Sequence, residues 1–359
     1  MKSARNSNFE LVRIFAIIGV IMGHYSVWGA LPIRENVFTF QEVFLDLMTI
    51  GNLSVTIFMM ISGYFLIKST KVNWEKFVAI ILVAMFYSLF IFTIMCIDTK
   101  TFDWMELYNS FFSFLTGRAW FITCYLIIYL FHPFINKLIK ALSDRELNIF
   151  VLLLFIVSTV ITILPYTDKF LNGLVSLFVI YVYGAFLQLR KEHKLFSKKN
   201  GWILVGIGLF VIITSVVLLK WVAQSNPAMG EGGNLYFYTK NAFPVIAVAI
   251  GVIMICEKSK PHYSRVVNFI ASFNLGIYLA HSNTEYWESV IWGRIFRVPY
   301  YIQTYHVVPA LFITCIVLYL CALTLEMTRH YVLGVPIHII YEKIKSKYQQ
   351  KKELQEVEA

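Results

Sequence analysis

The sequence predicts an all-α integral membrane protein with about ten transmembrane helices in one bundle. Of its 359 residues, 58% are hydrophobic and only 14% are charged, and the mean hydropathy of +0.67 lies outside the range of soluble domains. Uncharged stretches close to the spanning length of about 20 residues recur along the chain. Most of the 31 lysine and arginine residues fall in alternate connections between these stretches, which is the pattern of cytoplasmic loops.

The hydropathy pattern predicts ten spans in chain order. They are residues 9–30, 47–67, 77–97, 119–136, 147–164, 170–189, 201–221, 239–256, 266–287 and 307–328. His132 and Pro133 interrupt the fourth span, and the eighth is short because it begins near Lys240 and Pro244. An even number of spans, together with the placement of the basic residues, predicts that both termini are cytoplasmic.

The chain is predicted to form one membrane domain, residues 1–328, followed by a basic cytoplasmic tail, residues 329–359. The tail begins amphipathic and becomes wholly charged, which is typical of a helix that rests on anionic lipid. The cytoplasmic loops account for the net charge of +10, so the charge distribution excludes a nucleic-acid-binding protein. The five cysteines lack metal-ligand spacing, and no metal site is predicted.

The ionisable side chains of Arg13 and His24 both lie inside the first predicted span. Such groups are costly in a membrane helix and are usually functional. At about 100° and about 1.5 Å per residue they share one helix face and lie about 16 Å apart along the axis. Arg13 is either a phosphate-binding cation or a cytoplasmic arginine that extends to the membrane surface. His24 is either a general base or proton relay or a core histidine bonded to backbone. We expect the small residues around it to leave room for a substrate.

A wider set of polar residues in three other spans forms a candidate substrate-binding group. Its members are Ser62, Tyr64, Arg118, Trp120, His281 and Asn283. The small and polar residues of the second span equally suit close packing of helices. The polar patch in the ninth span either binds a polyhydroxy ligand or marks the end of the helix.

Four segments of the chain, in this order, resemble the acyltransferase-3 family of multipass membrane acyltransferases, which O-acetylate bacterial surface glycans. The segments are ELVRIFAIIGVIMGHY, GNLSVTIFMMISGYFL, AWFITCYLIIYLFHPFI and SFNLGIYLAH. The first resembles the family's opening helix with its arginine and histidine, and the second is similar to the helix that carries an SGY pattern. Together the four segments span nearly the whole chain.

The resemblance implies an enzyme that transfers an acetyl group from acetyl-CoA to a hydroxyl of a cell-surface or lipid-linked glycan. Arg13 would bind the CoA phosphates. His24 would be catalytic, either by deprotonating the acceptor hydroxyl or by carrying the acetyl group as a covalent intermediate. The expected partners are the acyl-CoA donor, the glycan acceptor, membrane lipid and polysaccharide-assembly proteins, at the inner membrane of a bacterial cell. The alternative function is a transporter or flippase for a glycan precursor, which would not turn over acetyl-CoA.

Overall fold

The computed structural model describes residues 6–30, 37–161, 173–225, 233–282 and 284–358, which form helices without any β-strand. The structure is 81% helical, which confirms the predicted all-α fold. In chain order the helices are α1 Ser7–His24, α2 Phe40–Leu47, α3 Gly51–Leu66, α4 Trp74–Thr99, α5 Trp104–Phe111, α6 Trp120–Ala141, α7 Asp144–Phe155, α8 Gly173–Leu189, α9 Lys198–Ala223, α10 Phe243–Lys258, α11 Arg265–Ala271, α12 Asn274–His281, α13 Glu285–Glu288, α14 Val298–Tyr301, α15 Val307–Arg329 and α16 Val335–Glu358.

Seven helical segments among the described residues are long and apolar enough to cross a membrane, which confirms a multipass membrane protein. They are Ser7–Gly29, Phe40–Leu66, Trp74–Thr99, Trp120–Ala141, Lys198–Ala223, Tyr236–Lys258 and Val307–Lys347. The three other predicted spans correspond to α7, to the 17-residue α8 and to the α11–α12 pair, which is interrupted between Ala271 and Asn274. The count of ten is approximate because these three are shorter than the usual spanning length of about 20 residues.

Helices α3 and α8 cross where each contributes a glycine. A Cβ on Gly63 would lie 2.1 Å from the carbonyl oxygen of Tyr181, and a Cβ on Gly184 would lie 2.0 Å from that of Met60. Lipid gives apolar helices no hydrophobic reason to associate, so close packing of small residues decides which helices touch. The glycine of the SGY segment is therefore a helix-packing residue.

Helix α1 packs against the start of α3 through a second set of small residues. A Cβ on Gly23 would lie 2.8 Å from the backbone nitrogen of Gly51, and a Cβ on Gly19 would lie 2.3 Å from Oγ of Ser54. The expectation that these glycines leave room for a substrate beside His24 is wrong, because the space is filled by α3.

Helix α6 continues through Pro133. A proline inside a helix leaves the carbonyl four residues earlier without its backbone donor. Here that carbonyl belongs to Tyr129, and Nδ1 of the buried His132 lies 2.5 Å from its oxygen. Since a carbonyl can only accept, His132 donates to it and replaces the missing backbone hydrogen bond.

A buried ion cluster joins α2 to the end of α9. Nζ of Lys220 lies 3.1 Å from Oε2 of Glu42 and 3.4 Å from Oδ2 of Asp46, and all three residues are buried. Buried charges are tolerated when they are paired. The cluster therefore holds the short helix α2 in place directly before α3.

Helix α15 continues through a wider turn, His330–Gly334, into α16. Near the start of α4, Oε1 of Glu75 lies 2.6 Å from Nζ of Lys345 in α16. Exposed isoleucines follow a helical spacing along α16: Ile337, Ile340 and Ile344. An exposed apolar stripe beside basic residues suits a helix on a lipid surface, and the domain boundary at residue 328 stays a prediction.

We predict that Gly184→Ala destabilises the bundle, because the added methyl group would collide with the carbonyl oxygen of Met60. Overpacking of this kind costs about 1–3 kcal/mol, and the thermal midpoint of the detergent-solubilised protein should fall. The matched control is Gly206→Ala in α9, where an added Cβ meets no described atom within 4 Å and alanine is the better helix former. Equal midpoints for the two variants would contradict the close crossing of α3 and α8.

Candidate functional site

A cavity of about 540 Å³ lies between α1, α3, α4, α6 and the junction of α11 with α12. Its volume is within the range of about 300–1,000 Å³ that is usual for small-molecule sites. Most of its wall is apolar. The polar residues in its lining are Asn6, Glu10, Arg13, Ser62, Lys76, Tyr125, Ser272, Asn274 and Tyr278.

Arg13 contributes its guanidinium to this cavity. Nη1 lies 2.6 Å from Oε1 of Glu10, and the Arg13 side chain is 27% exposed. A guanidinium has five N–H donors, so the pairing with Glu10 leaves others for a ligand. Lys76 is the second cation of the lining. Two cations against one carboxylate favour an anionic ligand at this part of the cavity.

His24 and His281 lie next to each other, with ring centroids 5.2 Å apart. The cavity lining includes Val20 and Tyr278, which precede the two histidines by one helical turn. The pair therefore lies directly beyond the cavity. Nδ1 of His24 and Nε2 of His281 are buried and have no hydrogen-bond partner among the described residues.

The backbone contact of His281 fixes its tautomer. Nδ1 lies 2.7 Å from the carbonyl oxygen of Ile277, one turn earlier in α12. The carbonyl can only accept, so Nδ1 carries the hydrogen, and Nε2 of the neutral ring holds a lone pair. His281 thus provides a proton acceptor next to His24. Two adjacent imidazoles of this kind can take up and release a proton, as general acid–base chemistry requires.

Two irregularities in the helices place the histidines. His24 ends α1, and the following residues Tyr25–Gly29 form a wider π turn, a feature that is frequent at functional sites. Helix α12 begins at Asn274, in the cavity lining, and ends at His281 only eight residues long. One short helix therefore connects the cavity to the histidine pair.

A buried acidic network, which the sequence analysis did not single out, packs against α12. Glu326 accepts a hydrogen bond from the Tyr87 hydroxyl at 2.7 Å and binds two nitrogens of Arg329 at 2.7 and 2.8 Å. A Cβ on Gly276 would lie 2.1 Å from the Glu326 carboxyl carbon. The glycine lets the carboxylate lie directly against the helix that carries His281. The (i,i+3) acid–base pair at the end of the last predicted span was a sequence signal for this network, but its contact with α12 could not be read from the sequence.

The wider set of candidate residues does not form one site. Ser62 lines the cavity, and its hydroxyl donates to the carbonyl of Phe58 at 2.9 Å. His281 is the neighbour of His24. Tyr64 is buried and stacks on Phe9 with centroids 5.6 Å apart, outside the cavity lining.

Two further candidates lie near the N-terminal end of α6. Arg118 is ion-paired with Glu106 of α5, and the ring of Trp120 lies 4.6 Å from Nζ of Lys240. Neither residue belongs to the cavity lining. Asn283 lies outside the described residues.

Comparison with known proteins identifies the family. The chain matches the sequence profile described as "Acyltransferase domain", of the acyltransferase-3 family, over residues 6–327. No curated protein and no solved structure shows a significant match to the chain. The matched range contains the cavity and the histidine pair, and it confirms the resemblance carried by the four sequence segments. The protein therefore belongs to the acyltransferase-3 family of membrane acyltransferases.

Proposed function

We propose that this protein is a membrane O-acyltransferase that moves an acetyl group from acetyl-CoA to a hydroxyl of a cell-surface or lipid-linked glycan. Acyl transfer is the chemistry of its family. The observation that carries the proposal is the placement of the His24–His281 pair one helical turn beyond a cavity lined by Arg13. Arg13, a cation suited to phosphate, lies in the cavity, and His24, a base suited to a hydroxyl, lies beyond it on the same helix. The family match does not favour the alternative of a transporter or flippase.

Arg13 is the proposed ligand of the donor's phosphate groups. A guanidinium can bind phosphate through two parallel hydrogen bonds, and Lys76 adds a second cation in the same lining. Arg13 and His24 are about 16 Å apart along α1 at about 1.5 Å per residue, which is comparable to the pantetheine arm. The thioester then reaches the histidine pair while the phosphates stay at Arg13.

In the direct route, His24 removes the proton of the acceptor hydroxyl as its oxygen attacks the thioester carbonyl carbon. The carbon–sulfur bond breaks, and the CoA thiolate takes the proton from His24. The ring of His281 packs beside His24, with centroids 5.2 Å apart. In the second route, His24 attacks the thioester carbonyl carbon, and the carbon–sulfur bond breaks to release the CoA thiolate. The acceptor oxygen then attacks the acetyl carbon, the bond to His24 breaks, and the hydroxyl proton passes to the thiolate.

The proposed setting is the inner membrane of a bacterial cell, with both termini in the cytoplasm. Support comes from the grouping of lysine and arginine in alternate connections. In this orientation Arg13 lies toward the cytoplasm, where acyl-CoA is found, and His24 lies in the outer half of α1. Lipid surrounds the bundle, and the proposed further partners are polysaccharide-assembly proteins that present the acceptor glycan.

We expect His24→Gln to insert and fold normally but to lose acetyl transfer, by about 10²–10⁴-fold for a general base. Glutamine keeps a hydrogen-bonding side chain but cannot take up the proton at neutral pH. The measurement is the acetyl content of the surface glycan, by mass spectrometry, in cells complemented at matched membrane levels. The control is His193→Gln, a change at an exposed histidine. Near-normal acetylation by His24→Gln would move the base role to His281.

Arg13→Lys should weaken the binding of acetyl-CoA by roughly tenfold or more, since a charged hydrogen bond contributes about 1.5–3 kcal/mol and lysine keeps the charge without the fork. Titration calorimetry of the purified protein gives the affinity. Arg190→Lys is the matched control, because Arg190 is paired with Asp144 at 2.8 Å and lies outside the cavity lining. Unchanged affinity in both Arg13→Lys and Arg13→Ala would show that Arg13 does not bind the donor and only extends to the membrane surface.

The orientation predicts that a cysteine at position 198 reacts only from the cytoplasmic side and one at position 231 only from outside. Position 231 is outside the described residues, and this expectation rests on the charge pattern alone. A membrane-impermeant maleimide, applied to whole cells with the native cysteines replaced, distinguishes the two sides. External labelling at position 198 would reverse the topology and remove Arg13 from the side of the donor.

A further inference from the structure

We propose that Asn274 recognises the acyl donor, through hydrogen bonds between its side-chain amide and the two secondary amides of the pantetheine arm. The inference rests on the proposed use of an acyl-CoA donor. It starts from the position of Asn274, which is the first residue of α12 and part of the cavity lining.

Asn274 is a buried polar residue of the cavity lining. The residue is 7% exposed, and neither Nδ2 nor Oδ1 has a hydrogen-bond partner among the described residues. Leaving a buried amide unpaired is costly, and most buried polar side chains are paired. The buried Asn136 shows the usual case, since it donates to the carbonyls of Leu66 and Ser69 and accepts from the Tyr181 hydroxyl. The partners of Asn274 are therefore expected to come from the cavity that it lines.

The packing of α1 beside α11 and α12 gives the depth of Asn274 along the cavity. Ser7 and Ser264 are bonded to each other at the start of this contact, where the Ser264 N–H donates to Oγ of Ser7 at 2.8 Å. Seventeen residues further along each segment, His24 and His281 are neighbours again. Asn274 lies ten residues after Ser264, so it is level with the stretch of α1 between Arg13 and His24.

This depth matches one group of the donor. Seven residues separate Asn274 from His281, about 10 Å at about 1.5 Å per residue. An extended chain advances about 3.4 Å per three backbone bonds, so the two amide nitrogens of pantetheine lie about 3–4 Å and about 8 Å from its sulfur. With the thioester at the histidine pair, the amide further from the sulfur reaches Asn274.

The chemistry also favours an amide over a phosphate. The N–H of the amide further from the sulfur donates to Oδ1 of Asn274, and Nδ2 donates to the carbonyl of the nearer amide. Two amides are needed because the N–H and carbonyl of one trans amide point in opposite directions. A phosphate offers only acceptors, so it would leave Oδ1 unpaired. The contact of Glu326 with Gly276 packs α12 from another side, so Asn274 is held in position before the donor arrives.

The test measures the affinities of wild type, Asn274→Leu and Asn274→Ala for two probes. One probe is acetyl-CoA, and the other is an acetyl-CoA analogue in which an ester replaces the amide further from the sulfur. Both variants should bind acetyl-CoA roughly tenfold or more weakly, as expected for the loss of two hydrogen bonds. Each variant should bind the ester analogue about as well as it binds acetyl-CoA. The analogue lacks the N–H that pairs with Asn274, so only wild type should bind it more weakly than acetyl-CoA. The alanine variant shows that the effect is not steric blockage by leucine.

Thermal unfolding of the ligand-free proteins provides a second readout. Asn274→Leu should unfold at the same temperature as wild type or higher, because an unpaired buried amide is removed. The control is Asn241→Leu, since Asn241 is buried outside the cavity lining and donates to Oγ of Ser176 at 2.9 Å. That variant should unfold at a lower temperature and keep the wild-type ratio of affinities for the two probes.

The outcomes separate this assignment from the proposed function. If wild type binds acetyl-CoA and the Asn274 variants keep its ratio of affinities for the two probes, the assignment is overturned and the acyl-CoA function stands. If wild type binds neither probe, the acyl-CoA function is overturned, and the role of Asn274 with it. A lower unfolding temperature of Asn274→Leu with unchanged binding would show that Asn274 stabilises the fold only.

Discussion

The candidate site depends on how closely α1, α3 and α8 approach one another. In lipid, apolar side chains gain little by leaving lipid for a neighbouring helix, so backbone contact through small residues carries much of the specificity of packing. Gly63 and Gly184 bring α3 against α8, while Gly23 brings α1 against the start of α3. Helix α3 therefore has close neighbours on two sides. Its position sets that of α1, which carries both Arg13 and His24.

The second requirement is a short helix that connects the cavity with the histidine pair. Helix α12 presents Asn274 at one end and His281 at the other, and it packs against a carboxylate that is itself fully paired. Buried polar networks stabilise one arrangement when every member is satisfied, as Glu326 is by Tyr87 and Arg329. A helix held in this way can keep His281 beside His24 even though its Nε2 has no hydrogen-bond partner among the described residues.

The cavity combines a mostly apolar wall with the two cations Arg13 and Lys76. The apolar wall includes Ile17 and Val20 of α1 and Val55 of α3. An apolar wall suits the uncharged part of a ligand, while the cations of Arg13 and Lys76 suit an anionic part.

The sequence by itself determined the helical membrane fold, the family, and the presence of Arg13 and His24 in one helix. These properties are local, because hydropathy marks spans of about 20 residues and the helical repeat sets which residues share a face. Only the tertiary structure decided that His281 lies beside His24, that Lys76 and Asn274 line the cavity, and that Arg118 and Trp120 do not. Those facts depend on which helix faces meet. In lipid both buried and lipid-facing surfaces are apolar, so hydropathy carries little information about the pairing of helices that are distant in the chain.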